Sequence, residues 1–444
     1  MTLSPDDLAA LASDETDTVR LRLARTLLRQ GDPRGTLIEV QCALARAGKQ
    51  APARLREEEA SLLAGHEASW LAELGLLPGD ARFSRGFVDH VTLDARRARG
   101  VYARLVRREP VRSLSLLVDF TGSEEELPLL LEELRQAGLP ASLEQLIIDR
   151  KNYWDVTHDD DLQLRRQGTR VLGLSLDLLD VARPHAGLEL LDIALRAPEA
   201  ALLQTLDVQL LARGESSLEP LLQALERVGP RPSLRDWRLS FSSPSGKEWI
   251  RWVQLGSLSR LLSLYPGLQT LVLPMAELPA EHVAHPELRE LSLHWLGLTP
   301  CGPSDLSQWK PAPVPKGGGL QLLRDARLPL LQRLHIDFQY AWYIAWSPED
   351  LAPLLDAEGL PALCQLELHN CGFGDVLCRE LVRMKHASRL EVLDLTGAIL
   401  SDEGALVLLR HRDRFPRLRR LVCGPWGLSD ALWTELRGRY PVDS

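Results

Sequence analysis

The pattern Leu-x-x-Leu-x-Leu, with other apolar residues standing in at some positions, recurs along most of this chain at intervals of roughly thirty residues. Copies begin at Val111, Leu143, Val171, Leu203, Leu234, Leu268, Leu288, Leu331, Leu363, Leu390 and Leu418. Clear examples are Leu-Gln-Thr-Leu-Asp-Val (203–208), Leu-Arg-Glu-Leu-Ser-Leu (288–293) and Leu-Glu-Val-Leu-Asp-Leu (390–395). A repeat of this period predicts a solenoid. The fourth and sixth residues of each unit share one side of a short strand, because strand side chains alternate. No single unit buries that side alone, so the units must stack.

The repeats resemble leucine-rich repeats of the long, ribonuclease-inhibitor type, in which a helix follows each strand. The resemblance implies an α/β solenoid of about eleven irregular repeats from residue 111. It would be a horseshoe with a parallel concave sheet and convex helices. A helix around Asp430 to Arg437, within a cap at about 424–444, would shield the last unit. The unit from Leu268 is too short for a helix and carries Pro274, Pro279 and Pro286. The unit from Leu288 is too long, and its Lys310–Gly319 stretch reads as a loop. The unit 143–170 departs internally with Asp159-Asp160-Asp161. The ninth position, usually Asn or Cys in such repeats, is Cys only at Cys371, so the usual ladder of polar side chains is missing.

Residues 1–80 precede the repeats, and residues 81–444 hold them. The first segment predicts four helices. Ser4 caps one that opens at Pro5. Val19 to Leu28 line a second, which Gly31 ends. Leu37 to Ala47 form a third, and a fourth runs from Pro52 to Leu74. Within it, Gly31-Asp32-Pro33-Arg34-Gly35 with Gln41-Cys42-Ala43-Leu44 resembles the bacterial repeat-companion domain, a short helical domain that precedes leucine-rich repeats. Arg85-Gly86-Phe87-Val88 resembles the start of the sheet in the same proteins. Ala24 to Arg29 departs from the aromatic and acidic stretch those proteins carry there. The resemblance implies a capping domain and no activity. Residues 83–93 are expected to form a transitional strand that covers the first edge of the sheet.

Net charge is −9, which gives no global electrostatic case for nucleic acid. No apolar run reaches the length of a membrane span. The start of the chain lacks a basic segment followed by an apolar one. The six cysteines are scattered, unlike a small disulfide framework. These features lead us to expect a cytoplasmic protein, with a monomer favoured.

No phosphate loop, nucleophile elbow or HExxH motif occurs, so catalytic, cofactor and metal residues are all expected to be none. Two clusters bear on metal. His369, Cys371 and Cys378 lie near Cys364, but a zinc site needs about four converging ligands and these fall at different points of one unit. His158-Asp159-Asp160-Asp161 is as well explained by a solvated turn or a helix start.

The third, fifth, seventh and eighth positions of each unit should face the concave side or its rim. Eighth positions supply Phe241, Met275, Trp295 and Phe338, followed by Tyr340 and Trp342. Fifth and seventh positions supply Arg238, His294, His335, Asp337, Glu367, His369 and Asp394. Aromatic residues are 5% of the chain, so their concentration here suggests a partner-binding site with aromatic anchors and a charged rim. The alternative is that the segment after Phe338 folds back and buries these rings as a local core. Function is therefore expected to be non-catalytic protein binding on the concave face or rim. The alternative is a regulator of a partner enzyme, such as a GTPase-activating or inhibitor-type repeat protein, which rests on fold analogy.

Overall fold

The computed structural model describes residues 3–14, 16–119, 126–151, 158–167, 170–178, 185–211, 214–242, 250–254, 256–275, 282–295, 319–338, 348–425, 427–440 and 442–443. At some element ends the backbone alone is described, Phe241, Met275 and Trp295 among them. The chain forms two compact units, Met1–Leu179 with His185–Leu203, and Gln204–Ser444.

The first unit opens with α1 (Pro5–Ala12), α2 (Thr18–Arg29), α3 (Arg34–Ala47) and α4 (Ala53–Leu74). Ser4 starts α1 through a reciprocal capping box: its Oγ accepts from Asp7 N at 3.1 Å, and the Asp7 carboxylate accepts from Ser4 N at 3.2 Å. Leu11, Ala24, Leu27, Ile38 and Cys42 then meet Phe87 in one buried cluster. That cluster is where the helices dock on the sheet.

Residues 83–93 are not a single strand. They belong to an antiparallel hairpin of β1 (Ala81–Ser84) and β2 (Phe87–Asp94). The reason is local. Arg85 and Gly86 both take positive φ, 50° and 84°, which is what a tight hairpin turn demands. Gly86 is also required by space, because a Cβ there would collide with Ile38.

The motif residues of the N-terminal segment lock the helices to this hairpin. Arg34 Nη2 donates to both Glu109 oxygens at 2.7 Å, and Arg34 Nε donates to Gly86 O at 3.1 Å. Glu109 also accepts from Val88 N at 3.0 Å, and Gln41 accepts from Gly86 N at 2.6 Å. The guanidinium lies 5.4–5.9 Å from the ring centroids of Phe83, Phe87 and Trp70.

The unit continues through α5 (Ala95–Ala98), α6 (Tyr102–Val106), β3 (Ser113–Asp119), α7 (Glu126–Ala137), β4 (Gln145–Lys151), β5 (His158–Gln167), β6 (Arg170–Leu178) and α8 (His185–Arg196). Its strands lie in the order β1 to β6. Strands β2, β3 and β4 are parallel, but β5 runs antiparallel to both β4 and β6. The acidic run at 159–161 is thus strand backbone, neither a turn nor a helix start. Its period explains this: Leu162 and Leu164 are buried and alternate with Asp161, Gln163 and Arg165.

The second unit contains β7 (Thr205–Leu211), β8 (Gly214–Ser217), α9 (Glu219–Val228), β9 (Asp236–Ser242), β10 (Ile250–Gln254), α10 (Leu258–Leu264), β11 (Thr270–Met275), β12 (Glu290–Trp295), β13 (Arg333–Asp337), α11 (Pro348–Leu355), β14 (Gln365–His369), α12 (Gly374–Leu381), β15 (Val392–Asp394), α13 (Asp402–Arg410), β16 (Arg420–Val422), α14 (Asp430–Arg439) and β17 (Val442–Asp443). Strands β7, β9 and β11 to β17 pair in that order and in parallel. Strands β8 and β10 form a separate parallel pair that the repeat pattern does not announce.

The repeat positions have distinct physical jobs. First, fourth and sixth residues are buried, as at Leu331, Leu334 and Ile336 or Leu363, Leu366 and Leu368. The second residue carries a backbone ladder. N–H groups of the second and third residues of one unit both donate to the second-position carbonyl of the unit before. Thus Gln269 and Thr270 donate to Arg235 O, Gln332 and Arg333 to Arg289 O, and Cys364 and Gln365 to Gln332 O. This satisfies groups that a bend into the strand would otherwise orphan. No helix occupies the described part of the short unit from Leu268. Two buried histidines tie one unit to the unit before it. His285 Nε2 donates to Tyr265 O at 3.0 Å, and His386 Nε2 donates to Ala357 O. The last helix, α14, buries Leu436, and Tyr440 just beyond it donates its hydroxyl proton to Leu408 O at 3.3 Å.

Candidate functional site

On β12 to β15 the residues between the buried leucines are polar and titratable. Register places Ser292 opposite His335, His294 opposite Asp337, His335 opposite Glu367, Asp337 opposite His369, and Glu367 opposite Asp394. The period of two then gathers three histidines and three carboxylates on one face. The His294 and His335 rings lie 5.1 Å apart, and the His335 and His369 rings meet edge to face at 4.5 Å.

Glu367 is the centre of this network and is only 7% exposed. Its Oε1 accepts from Arg333 Nε at 2.8 Å, and its Oε2 lies 2.9 Å from His335 Nδ1. In the neutral imidazole, a carboxylate so placed holds the proton on Nδ1 and leaves the lone pair on Nε2. That Nε2 is buried and has no hydrogen-bond partner among the described residues. An unpaired buried polar atom of this kind costs about 1–3 kcal/mol.

The flanking groups differ in charge preference. Burial pushes the His294 imidazole below its ordinary value, and His335 beside it adds to the effect. His369 is raised instead, by the Asp394 carboxylate 3.2 Å from its Nε2. That contact is an ion pair by distance and falls outside hydrogen-bond alignment. Burial alone would raise Asp394, but His369 and the Thr396 N–H and hydroxyl outweigh it and hold the carboxyl at about 2. Asp337 Oδ1 accepts from Asn370 Nδ2 at 2.7 Å.

The structure redistributes the residues expected on the partner-binding surface. Arg238 is exposed on the same face of β9, and His294, His335, His369 and Asp394 are partly exposed on theirs. Glu367, expected as a rim charge, is instead buried between Arg333 and His335, because both of its oxygens are needed there. Phe338, expected as an exposed anchor, is fully buried and packs edge to face on Phe373 at 5.6 Å. Phe338→Ala is therefore expected to cost about 3–5 kcal/mol by opening a cavity, read by urea denaturation. A loss below about 1 kcal/mol would put the ring back on the surface. Strand backbone carries Phe241, Met275 and Trp295, whose side chains lie outside the described set, as do Tyr340 and Trp342 entirely.

The cysteine cluster does not converge as a ligand set. Among the described residues the groups that bring metal-ligating atoms within 4.8 Å of one another are His294, His335 and Asp337, and His335, Glu367 and His369. Burial pushes the Cys371 thiol up to about 12 and Cys423 to about 11, and raises Cys378 as well, so these are neutral core thiols. The five described cysteines are free thiols. Sequence reasoning placed His294, His335 and Asp337 on one surface but missed their convergence on a point, and missed Arg333 and Asn370 as their supports. The signal was available: titratable residues at the fifth and seventh positions of consecutive units become neighbours once the strands are in register.

No family model matches the sequence, and no curated protein matches it. Among solved structures, a protein from Bacteroides fragilis aligns at 18% identity over 54% of this chain with a TM-score of 0.43. The alignment spans 65% of that protein, just under two thirds of its length. A leucine-rich repeat protein of Leptospira interrogans aligns at 13% identity over 78% of this chain and 92% of its own, with a TM-score of 0.18.

Proposed function

We propose that this chain is a non-catalytic scaffold that binds a protein partner on the polar face of β9 to β15. The observation that carries the reading is the in-register stripe on that face. Arg238 and Ser240 on β9, Ser292 and His294 on β12, His335 and Asp337 on β13, His369 on β14 and Asp394 on β15 alternate with the buried apolar positions of their strands, with Val272 of β11 in register between Arg238 and Ser292. Both charge signs are present, which favours orientation and selectivity in a protein partner over attraction to a polyanion. The reading takes in the horseshoe curvature expected of the repeats, residues 1–80 as a repeat-companion cap, and a cytoplasmic monomer. No helix among the described residues is long and apolar enough to cross a membrane.

The test is affinity capture from extracts of the cells that make the protein. Arg238 and Ser240 are exposed on β9, so Arg238→Glu with Ser240→Glu should leave the melting curve within about 1 kcal/mol of the parent. The same pair should weaken capture of the specific partner by about tenfold or more, the scale of one lost hot spot. An unchanged set of captured proteins at unchanged affinity would place the docking surface elsewhere.

A further inference from the structure

We propose that His294, His335 and Asp337 are ligands of a divalent transition-metal ion of the zinc class, with Glu367 as the carboxylate that orients His335. The inference does not depend on the docking reading. Parallel pairing sets His294 of β12 directly opposite Asp337 of β13, and His335 stands two residues before Asp337 on the same face. Their ligand atoms already lie within 4.8 Å of one another. Around one ion, with metal–nitrogen and metal–oxygen bonds of about 2.0–2.2 Å, such atoms sit roughly 3.3 Å apart.

The state of His335 marks it as a ligand. Its Nδ1 is engaged by Glu367, and Glu367 is pinned in turn by Arg333. That is the carboxylate–histidine arrangement that fixes tautomer and ring direction behind a metal. The lone pair it frees sits on Nε2, which is buried and has no partner among the described residues. Histidines that serve only the fold look different here. His285 spends its Nε2 on a backbone carbonyl and its Nδ1 on Glu287 N. The competing set of His335, Glu367 and His369 shares the same imidazole. However, Glu367 is committed to Arg333 and His335, and His369 is paired with Asp394. Asp337 is held in place by Asn370, which donates to its Oδ1 at 2.7 Å.

Two imidazoles with one carboxylate select the cation. Calcium and magnesium take oxygen ligands, whereas imidazole suits zinc, nickel, copper and iron. Three protein ligands leave room for water or for a donor from a bound partner.

The test uses the full chain, stripped with chelator, dialysed and titrated with zinc chloride by calorimetry. We expect one ion per chain with micromolar affinity or tighter. Cobalt(II) in its place should give the visible absorption of a low-coordinate nitrogen and oxygen site. His294→Ala, His335→Ala and Asp337→Asn should each weaken zinc by about tenfold or more, and Glu367→Gln by about 10–100-fold. His282→Ala, at an exposed histidine outside the set, should bind as the parent does. Asp337→Asn keeps side-chain shape, so it serves if an alanine variant fails to fold. Millimolar affinity in the parent, or equal zinc binding by parent and Asp337→Asn, would overturn the site. So would loss on His369→Ala with no change on His294→Ala. A chain that binds no zinc yet captures its partner leaves the docking reading standing.

Discussion

Arg34→Ala is expected to destabilise the first unit by about 3–5 kcal/mol, the cost of leaving a buried charge without its partner. The side chains of Arg34 and Glu109 are 4% and 2% exposed. Removing the guanidinium strands the Glu109 carboxylate beside Val88 N in a place water does not reach. It also takes away the donor to Gly86 O and the cation at the centre of Trp70, Phe83 and Phe87. Removing both charges, as Arg34→Met with Glu109→Leu, should recover part of the loss, because no lone ion then stays buried. Recovery should be incomplete, since Val88 N and Gly86 O still lose partners at about 1 kcal/mol or more each. Urea denaturation gives the total, and hydrogen exchange across α3 and β2 localises it. A loss below about 1 kcal/mol for Arg34→Ala would mean that apolar packing alone docks the helices on the hairpin.

This lock shows which kinds of information the sequence carries openly. The repeat period, the four N-terminal helices and the buried leucines follow from patterns of single residues, and each appears in the structure. Arg34 was visible only as part of a motif, since nothing local says that its partner is Glu109, far along the chain. The hairpin at Arg85-Gly86 was hidden for a related reason. Its signal is a backbone requirement at two residues, and the apolar spacing around it imitates a single strand. The extra strand β5 was legible in the alternation of Leu162 and Leu164, but the acidic run beside it drew attention to turn chemistry. At the candidate site, the fifth and seventh positions of the repeat put His294, His335, Asp337, Glu367, His369 and Asp394 on one face. Position within the repeat could not show that Glu367 would be buried, because burial there depends on Arg333 and His335 supplying partners for both oxygens. Nor could it show that Phe338 would turn inward, since that depends on Phe373 in the following unit.

Leu393→Asp is expected to cost at least about 4 kcal/mol, whereas Val392→Asp, one residue earlier, should cost about 1 kcal/mol or less. The two positions differ only in the face of β15 they occupy. Leu393 is fully buried and stands in register between Leu366 of β14 and Leu421 of β16, both fully buried. A carboxylate there has no cation to meet and must either stay protonated or pull the strand away from the core. Val392 is partly exposed and lies between Gln365 and Arg420, where a carboxylate can reach water. Because each unit rests on its neighbours, the damage at Leu393 should spread first to β14 and β16 and to the helices α12 and α13 behind them. Hydrogen exchange would show lost protection there while β1 to β4 keep theirs. Equal losses from the two substitutions would contradict the alternation on which both the leucine core and the polar face of β12 to β15 depend.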